Sequence, residues 1–117
     1  MLMPQPIFKI VARLEWQAAR SAGAYEGAAV DLADGFIHFS TAGQVAETAN
    51  RHFTGQRDLL LVAVDPGRLG EALKFEPSRG GALFPHLYAA LPFSAVLWEK
   101  ELPETADGGH DFTGLLV

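Results

Sequence analysis

The run Leu59-Leu60-Leu61-Val62-Ala63-Val64 constrains the fold of this chain more than any other feature. It is continuously apolar, with Asp58 before it and Asp65-Pro66-Gly67 after it, so it reads as a strand buried on both faces. Ile7-Phe8-Lys9-Ile10-Val11 is short and β-branched and forms a second strand. Gly35 to Phe39, the alternating Leu73-Lys74-Phe75-Glu76 and Ala95 to Glu99 add three more. Leu14 to Ala22 is rich in helix formers, and Gly23 stops it. Thr41 and Gln44 have the spacing of a capping box, which opens an alanine-rich helix running to Phe53 with Gly55 beyond it. Gly23 to Asp34 reads as a loop carrying Tyr25, and Pro77 to Gly81 as a turn. The segment around His86, bracketed by Pro85 and Pro92, reads as extended and irregular. Strand, helix, strand, helix and then several strands predicts the α+β class.

The 117 residues fit one domain, with a core over about 6–102 and a polar, glycine-rich, loosely packed tail over 103–117. No cysteine is present, which excludes disulfides, thiolate nucleophiles and zinc sites with sulfur ligands, and fits a cytoplasmic protein. The net charge is −5 and the nine basic residues are scattered, which excludes general nucleic-acid binding. The first residues lack the pattern of a signal peptide and no apolar run is long enough to span a bilayer, so no membrane partner is expected. The sequence leaves the oligomeric state open.

Two segments carry the chemistry: Asp34-Gly35-Phe36-Ile37-His38-Phe39-Ser40-Thr41 and Phe84-Pro85-His86-Leu87-Tyr88. Each sets an imidazole inside an apolar, strand-like run beside hydroxyl groups, and imidazole can donate, accept or titrate near neutral pH. Strand alternation puts Ile37 and Phe39 on one face and Phe36, His38 and Ser40 on the other. With the first pair in the core, His38 points into a polar pocket or pins the strand to a loop. His86 and Tyr88, two residues apart, face the same way on an extended backbone and suit a ribose or a planar ring. Glu76 offers a carboxylate as a base or as a stabiliser of a cationic sugar-like transition state. Arg79, in the following turn, offers a bidentate grip on phosphate. Thr41 is a helix cap before it is a ligand contact. His52 closes a helix, where a cation complements the macrodipole, and His110 lies in the tail. His38, His86 and Glu76 have no recognised metal-ligand spacing, so no metal is expected. Phosphate-binding glycine loops and Gly-x-Ser-x-Gly are absent.

Taken with Ile7-Phe8-Lys9-Ile10 and Leu73-Lys74-Phe75-Glu76, these segments resemble the bacterial domain-of-unknown-function family 952 over roughly Ile7 to Leu102. That family usually shows Leu at the place of Phe39 and Gly-Pro-Leu after His-Leu-Tyr, where this chain has Ala89-Ala90-Leu91. The resemblance implies a remote relation to the ADP-ribosyltransferase superfamily. The expected fold is then a single domain with a bent or split, mostly antiparallel sheet and two main helices, with a cleft between the His38 strand and the His86 segment. RNA 2′-phosphotransferases have a strand ending in His, a hydrophobic residue and Ser or Thr, which Ile37-His38-Phe39-Ser40 resembles. Their early strand has a ligand-contacting His near the position of Lys9, and no glutamate here aligns with the transferases' catalytic one. The ligand implied is NAD or an ADP-ribose-like nucleotide. His38 and Tyr88 would position ribose and nicotinamide, and Ser40 would bind a ribose hydroxyl. Lys9, Thr41 and Arg79 would add ligand contacts, and His86 would act as acid/base or phosphate contact beside Glu76. Two rivals stand: a noncatalytic module binding a small ligand or partner, and a phosphoesterase with two His-x-Ser/Thr motifs. His38-Phe39-Ser40 fits one such motif and His86-Leu87-Tyr88 does not fit the second.

Overall fold

The computed structural model describes residues 5–116, apart from the side chain of Arg79. In chain order the strands are β1 (Ile7–Ala12), β2 (Ile37–His38), β3 (Ser40–Thr41), β4 (Leu59–Val64), β5 (Leu73–Pro77), β6 (Leu83–Leu87) and β7 (Val96–Leu102). The α-helices are α1 (Arg13–Ala22), α2 (Ala29–Asp34) and α3 (Val45–His52). Two antiparallel sheets form, one ordered β3-β1-β4-β7 and the other β2-β6-β5. The expected α+β class with a split antiparallel sheet is what the chain adopts.

The apolar run is the reason for the layering. All six residues of β4 are buried between β1 and β7, so each face of the larger sheet needs a cover. On one side Ile7, Val11, Val62 and Val64 pack with Trp16 of α1, with Tyr25 and with Ile37, Phe39 and Leu87 of the smaller sheet. On the other, Phe8, Ile10, Leu61 and Ala63 pack with Val45 and Ala49 of α3. A fully buried Leu such as Leu61 contributes about 1.5–3 kcal/mol in this way. Phe112, Leu115 and Leu116 also pack against this second cluster. Lys100 Nζ donates to the Leu115 carbonyl at 3.1 Å, and Gly55 N–H to the Gly108 carbonyl at 2.8 Å. The segment expected as a loose tail is therefore docked by three apolar side chains.

Three local expectations are corrected. The stretch from Gly23 to Asp34 is not all loop, because α2 ends it, making three α-helices among the described residues where two main ones are expected. This helix opens where Asp31 Oδ2 accepts the Ala28 N–H at 2.7 Å and closes at Gly35, whose φ of 85° is left-handed. Thr41 is not the cap of α3: the helix starts at Val45, and Gln44 Oε1 accepts the Thr41 N–H at 3.0 Å one turn earlier. The His86 segment is a regular strand, β6, at the centre of its sheet. Pro85 marks where its pairing with β2 stops. Its carbonyl accepts the Phe39 N–H at 2.9 Å, but proline has no N–H to return. Beyond Phe39 the chain crosses to the larger sheet, where Ser40 and Thr41 pair with Phe8 and Ile7. No helix among the described residues is long and apolar enough to cross a membrane.

Candidate functional site

Ile37 and Phe39 face the core, so alternation turns Phe36 and His38 to the opposite face, as the sequence predicts. β2 pairs with β6 in a register that sets His38 directly across from His86. Their ring centroids are 5.6 Å apart. Phe36 lies over both, 4.6 Å from the His38 ring and 4.2 Å from the His86 ring, and 5.2 Å from Tyr88.

Each imidazole is held at Nδ1 by a carboxylate. For His38 the partner is Asp31, at 2.6 Å, and the same Oδ1 accepts the His38 backbone N–H at 3.0 Å. Asp31 is almost wholly buried and also takes both contacts of Lys9 Nζ, at 3.1 and 2.9 Å. Burial alone would raise the Asp31 carboxyl. The hydrogen bonds from His38 and the charge of Lys9 outweigh it and hold the group well below the usual carboxylate range. Burial lowers the Lys9 ammonium from its ordinary value, and Asp31 offsets only part of this. Asp34, one turn further along α2, reaches Nε2 of His38 at 2.9 Å. A carboxylate oxygen only accepts, so Nδ1 of His38 is the donor toward Asp31, while Asp34 faces Nε2 at ion-pair distance.

For His86 the partner is Glu76, at 2.8 Å. The pair is ten residues apart in sequence, and the β5–β6 hairpin brings it together by setting Glu76 opposite Phe84. Tyr88 donates to the same Glu76 oxygen at 2.6 Å. The tyrosine hydrogen bond, followed by that of His86, lowers the Glu76 carboxyl, and the same contact raises the Tyr88 phenol. Nε2 of His86 has no hydrogen-bond partner among the described residues.

A cleft of about 920 Å³ runs beside this face, walled by β1, the start of α2 and the end of α3, and both histidines line it. It therefore flanks the β2–β6 pair and does not part it, because the two strands are hydrogen-bonded neighbours. Ser40 lines the cleft and its hydroxyl is 2.8 Å from that of Thr48. Lys9 lines it as well, committed to Asp31. Thr41, Glu76 and Tyr88 are not among the lining residues, although Glu76 and Tyr88 support His86 from behind. The side chain of Arg79 lies outside the described residues. Asp31 and Asp34, and Phe36 as the ring lying over both histidines, are site residues that the sequence reading does not single out. The spacing Asp31-x-x-Asp34-Gly35 just before the histidine strand is the signal that marks the two aspartates.

A family model described as "Protein of unknown function (DUF952)" matches residues 10–99. The chain belongs to the DUF952 family. The chain is similar to protein CC0527 of Caulobacter crescentus, whose X-ray structure is 52% identical to this DUF952 chain with a TM-score of 0.93. The alignment covers 96% of this chain and 98% of that one. A solution NMR structure of CC0527 is 53% identical over 92% of each chain, with a TM-score of 0.82. No curated protein matches. These solved structures speak for the fold, and the chemistry has to be argued from the side chains.

Proposed function

We propose that the cleft binds a nucleotide of the NAD or ADP-ribose type and that His86 is its acid/base group. The observation that carries this reading is the His86 imidazole, fixed by Glu76 at Nδ1 and without a partner at Nε2, on the wall of a cleft of about 920 Å³. A carboxylate on one nitrogen sets the tautomer and leaves the other free to exchange a proton with a ligand. The volume falls within the usual range for small-molecule sites, and a lining that mixes apolar residues such as Ile10, Val30 and Phe84 with polar and charged ones suits a base and a ribose. Ser40 is the candidate contact for a ribose hydroxyl. His38, held at Nδ1 by Asp31 and faced at Nε2 by Asp34, and Lys9, tied to Asp31, shape the site from within. The split antiparallel sheet and the His38-Phe39-Ser40 strand end support a relation to the ADP-ribosyltransferases. The absence of cysteine and the acidic balance support a cytoplasmic protein without a general nucleic-acid partner.

The test is a thermal-shift titration with NAD, ADP-ribose, ATP and inorganic phosphate. A ligand that binds only the folded state adds about 2.7 kcal/mol at a hundredfold excess over its dissociation constant. A shift with NAD or ADP-ribose that is lost in His86→Ala supports the reading. No shift with any nucleotide overturns it.

A further inference from the structure

We infer that His38 and His86 work as an acid–base pair that cleaves a phosphoester bond of the nucleotide in the cleft. This names the reaction class and rests on the nucleotide reading above. The sequence alone argues against such a pair, because the second His-x-Ser/Thr motif is missing. Cross-strand pairing supplies what the motif would have supplied: His38 stands opposite His86, with ring centroids 5.6 Å apart, and both line one cleft.

The two rings differ in their proton inventory. His38 has a carboxylate oxygen beside each nitrogen, Asp31 hydrogen-bonded at 2.6 Å and Asp34 in ion-pair contact at 2.9 Å, so it is the ring placed to deliver a proton from Nε2. His86 uses Nδ1 toward Glu76 and keeps Nε2 without a partner among the described residues, so that lone pair is available to accept. One ring is an acid and its neighbour a base, on one face. Phosphoester hydrolysis gains from both, a base at the entering oxygen and an acid at the leaving oxygen. Neutral rings with equivalent surroundings would have no such division of labour.

The step balances without any further reactant but water. His86 Nε2 takes a proton from the water as its oxygen forms the new bond to phosphorus. The bond from phosphorus to the leaving oxygen breaks, and that oxygen takes the Nε2 proton of His38. A cyclic phosphodiester opens to a phosphomonoester with a free hydroxyl, and a pyrophosphate gives two monoesters. Nothing is oxidised or reduced, and proton exchange with solvent resets the pair. Asp34 faces Nε2 of His38 until the phosphate arrives. It is about half exposed at the end of α2, while Asp31 behind the ring is buried, so Asp34 is the partner a ligand displaces. Asp31 and Glu76 are positioning residues, because they act through the imidazoles.

The experiment follows 2′,3′-cyclic AMP, ADP-ribose and NAD by phosphorus NMR, with thermal shift on the same samples. The proteins are wild type, His86→Gln, His38→Gln and Asp34→Asn, each checked by circular dichroism. Turnover of at least one substrate, reduced about 10²–10⁴-fold in both histidine variants, supports the pair. Tighter nucleotide binding in Asp34→Asn supports displacement of Asp34. A thermal shift with unchanged phosphorus spectra overturns the phosphoester step and leaves the nucleotide reading standing. No shift with any nucleotide removes both. Turnover that survives in His38→Gln overturns the pair and leaves His86 to act without it.

Discussion

His38 and His86 face each other across a two-residue antiparallel pairing, and a different carboxylate holds each ring at Nδ1. Asp31 comes from a helix behind β2, and Glu76 from the strand on the far side of β6. The site is thus assembled from three separate stretches of chain, and substitutions in each should give separable effects.

Asp31→Ala should be the most damaging single change near the site. It leaves Lys9 buried without its counter-ion and removes the acceptor of two backbone N–H groups. Breaking a buried pair from one side costs about 3–5 kcal/mol. The measurement is urea unfolding, in which Lys9→Met combined with Asp31→Ala should recover part of the loss. A midpoint equal to wild type for Asp31→Ala would refute the account of this pair.

Glu76→Gln should behave in the opposite way. The carboxylate is partly exposed and holds no core contact, so the melting temperature should stay essentially that of wild type. Orientation of His86 should suffer, and turnover should fall about tenfold to a hundredfold. Tyr88→Phe removes one of the two donors to Glu76 and should give a smaller decrease. Kinetics and melting curves on the same preparations check both.

Stability should depend on pH through Asp31 in a defined direction. Its folded-state carboxyl lies below the ordinary value of 3.8, so the unfolded chain takes up the proton first. The stabilisation is complete above about pH 3.8 and is lost as pH falls further. Unfolding midpoints between pH 6 and 2 should show an acid limb that is flatter in Asp31→Asn.

The two tyrosines should both ionise late. Burial, followed by the charges of Asp31 and Glu15, raises the Tyr25 phenol from its ordinary 10.0, and the hydrogen bond to Glu76 raises Tyr88. The ultraviolet phenolate band of the native protein should therefore lag behind that of the urea-unfolded chain. An acid whose folded pKa is raised contributes stability below its unfolded value, so that contribution should decline as pH rises above 10.0.

The large features of the fold were legible because burial leaves a pattern. β4 is apolar throughout since both its faces are covered, and the facing of His38 follows from Ile37 and Phe39 alternating with it. α2 was not legible, because it buries only Asp31 and exposes Val30 and Leu32, which gives no helical stripe. Asp31 was hidden for the same reason: a single acidic residue in a loop-like stretch carries no mark of its burial. The strand at His86 was masked by Pro85, which is tolerated because pairing with β2 ends there. The docked end of the chain was masked by its glycines, although Phe112, Leu115 and Leu116 were in view.

The most direct test of the central claim is a long-range proton–nitrogen NMR spectrum of the imidazoles, with and without ADP-ribose. The chain has four histidines, and His86→Gln assigns the resonance that matters. The account predicts a His86 ring protonated at Nδ1, with an unprotonated Nε2 whose resonance moves when the nucleotide is added. A His86 ring protonated only at Nε2, or an Nε2 resonance unmoved by saturating nucleotide, would contradict it.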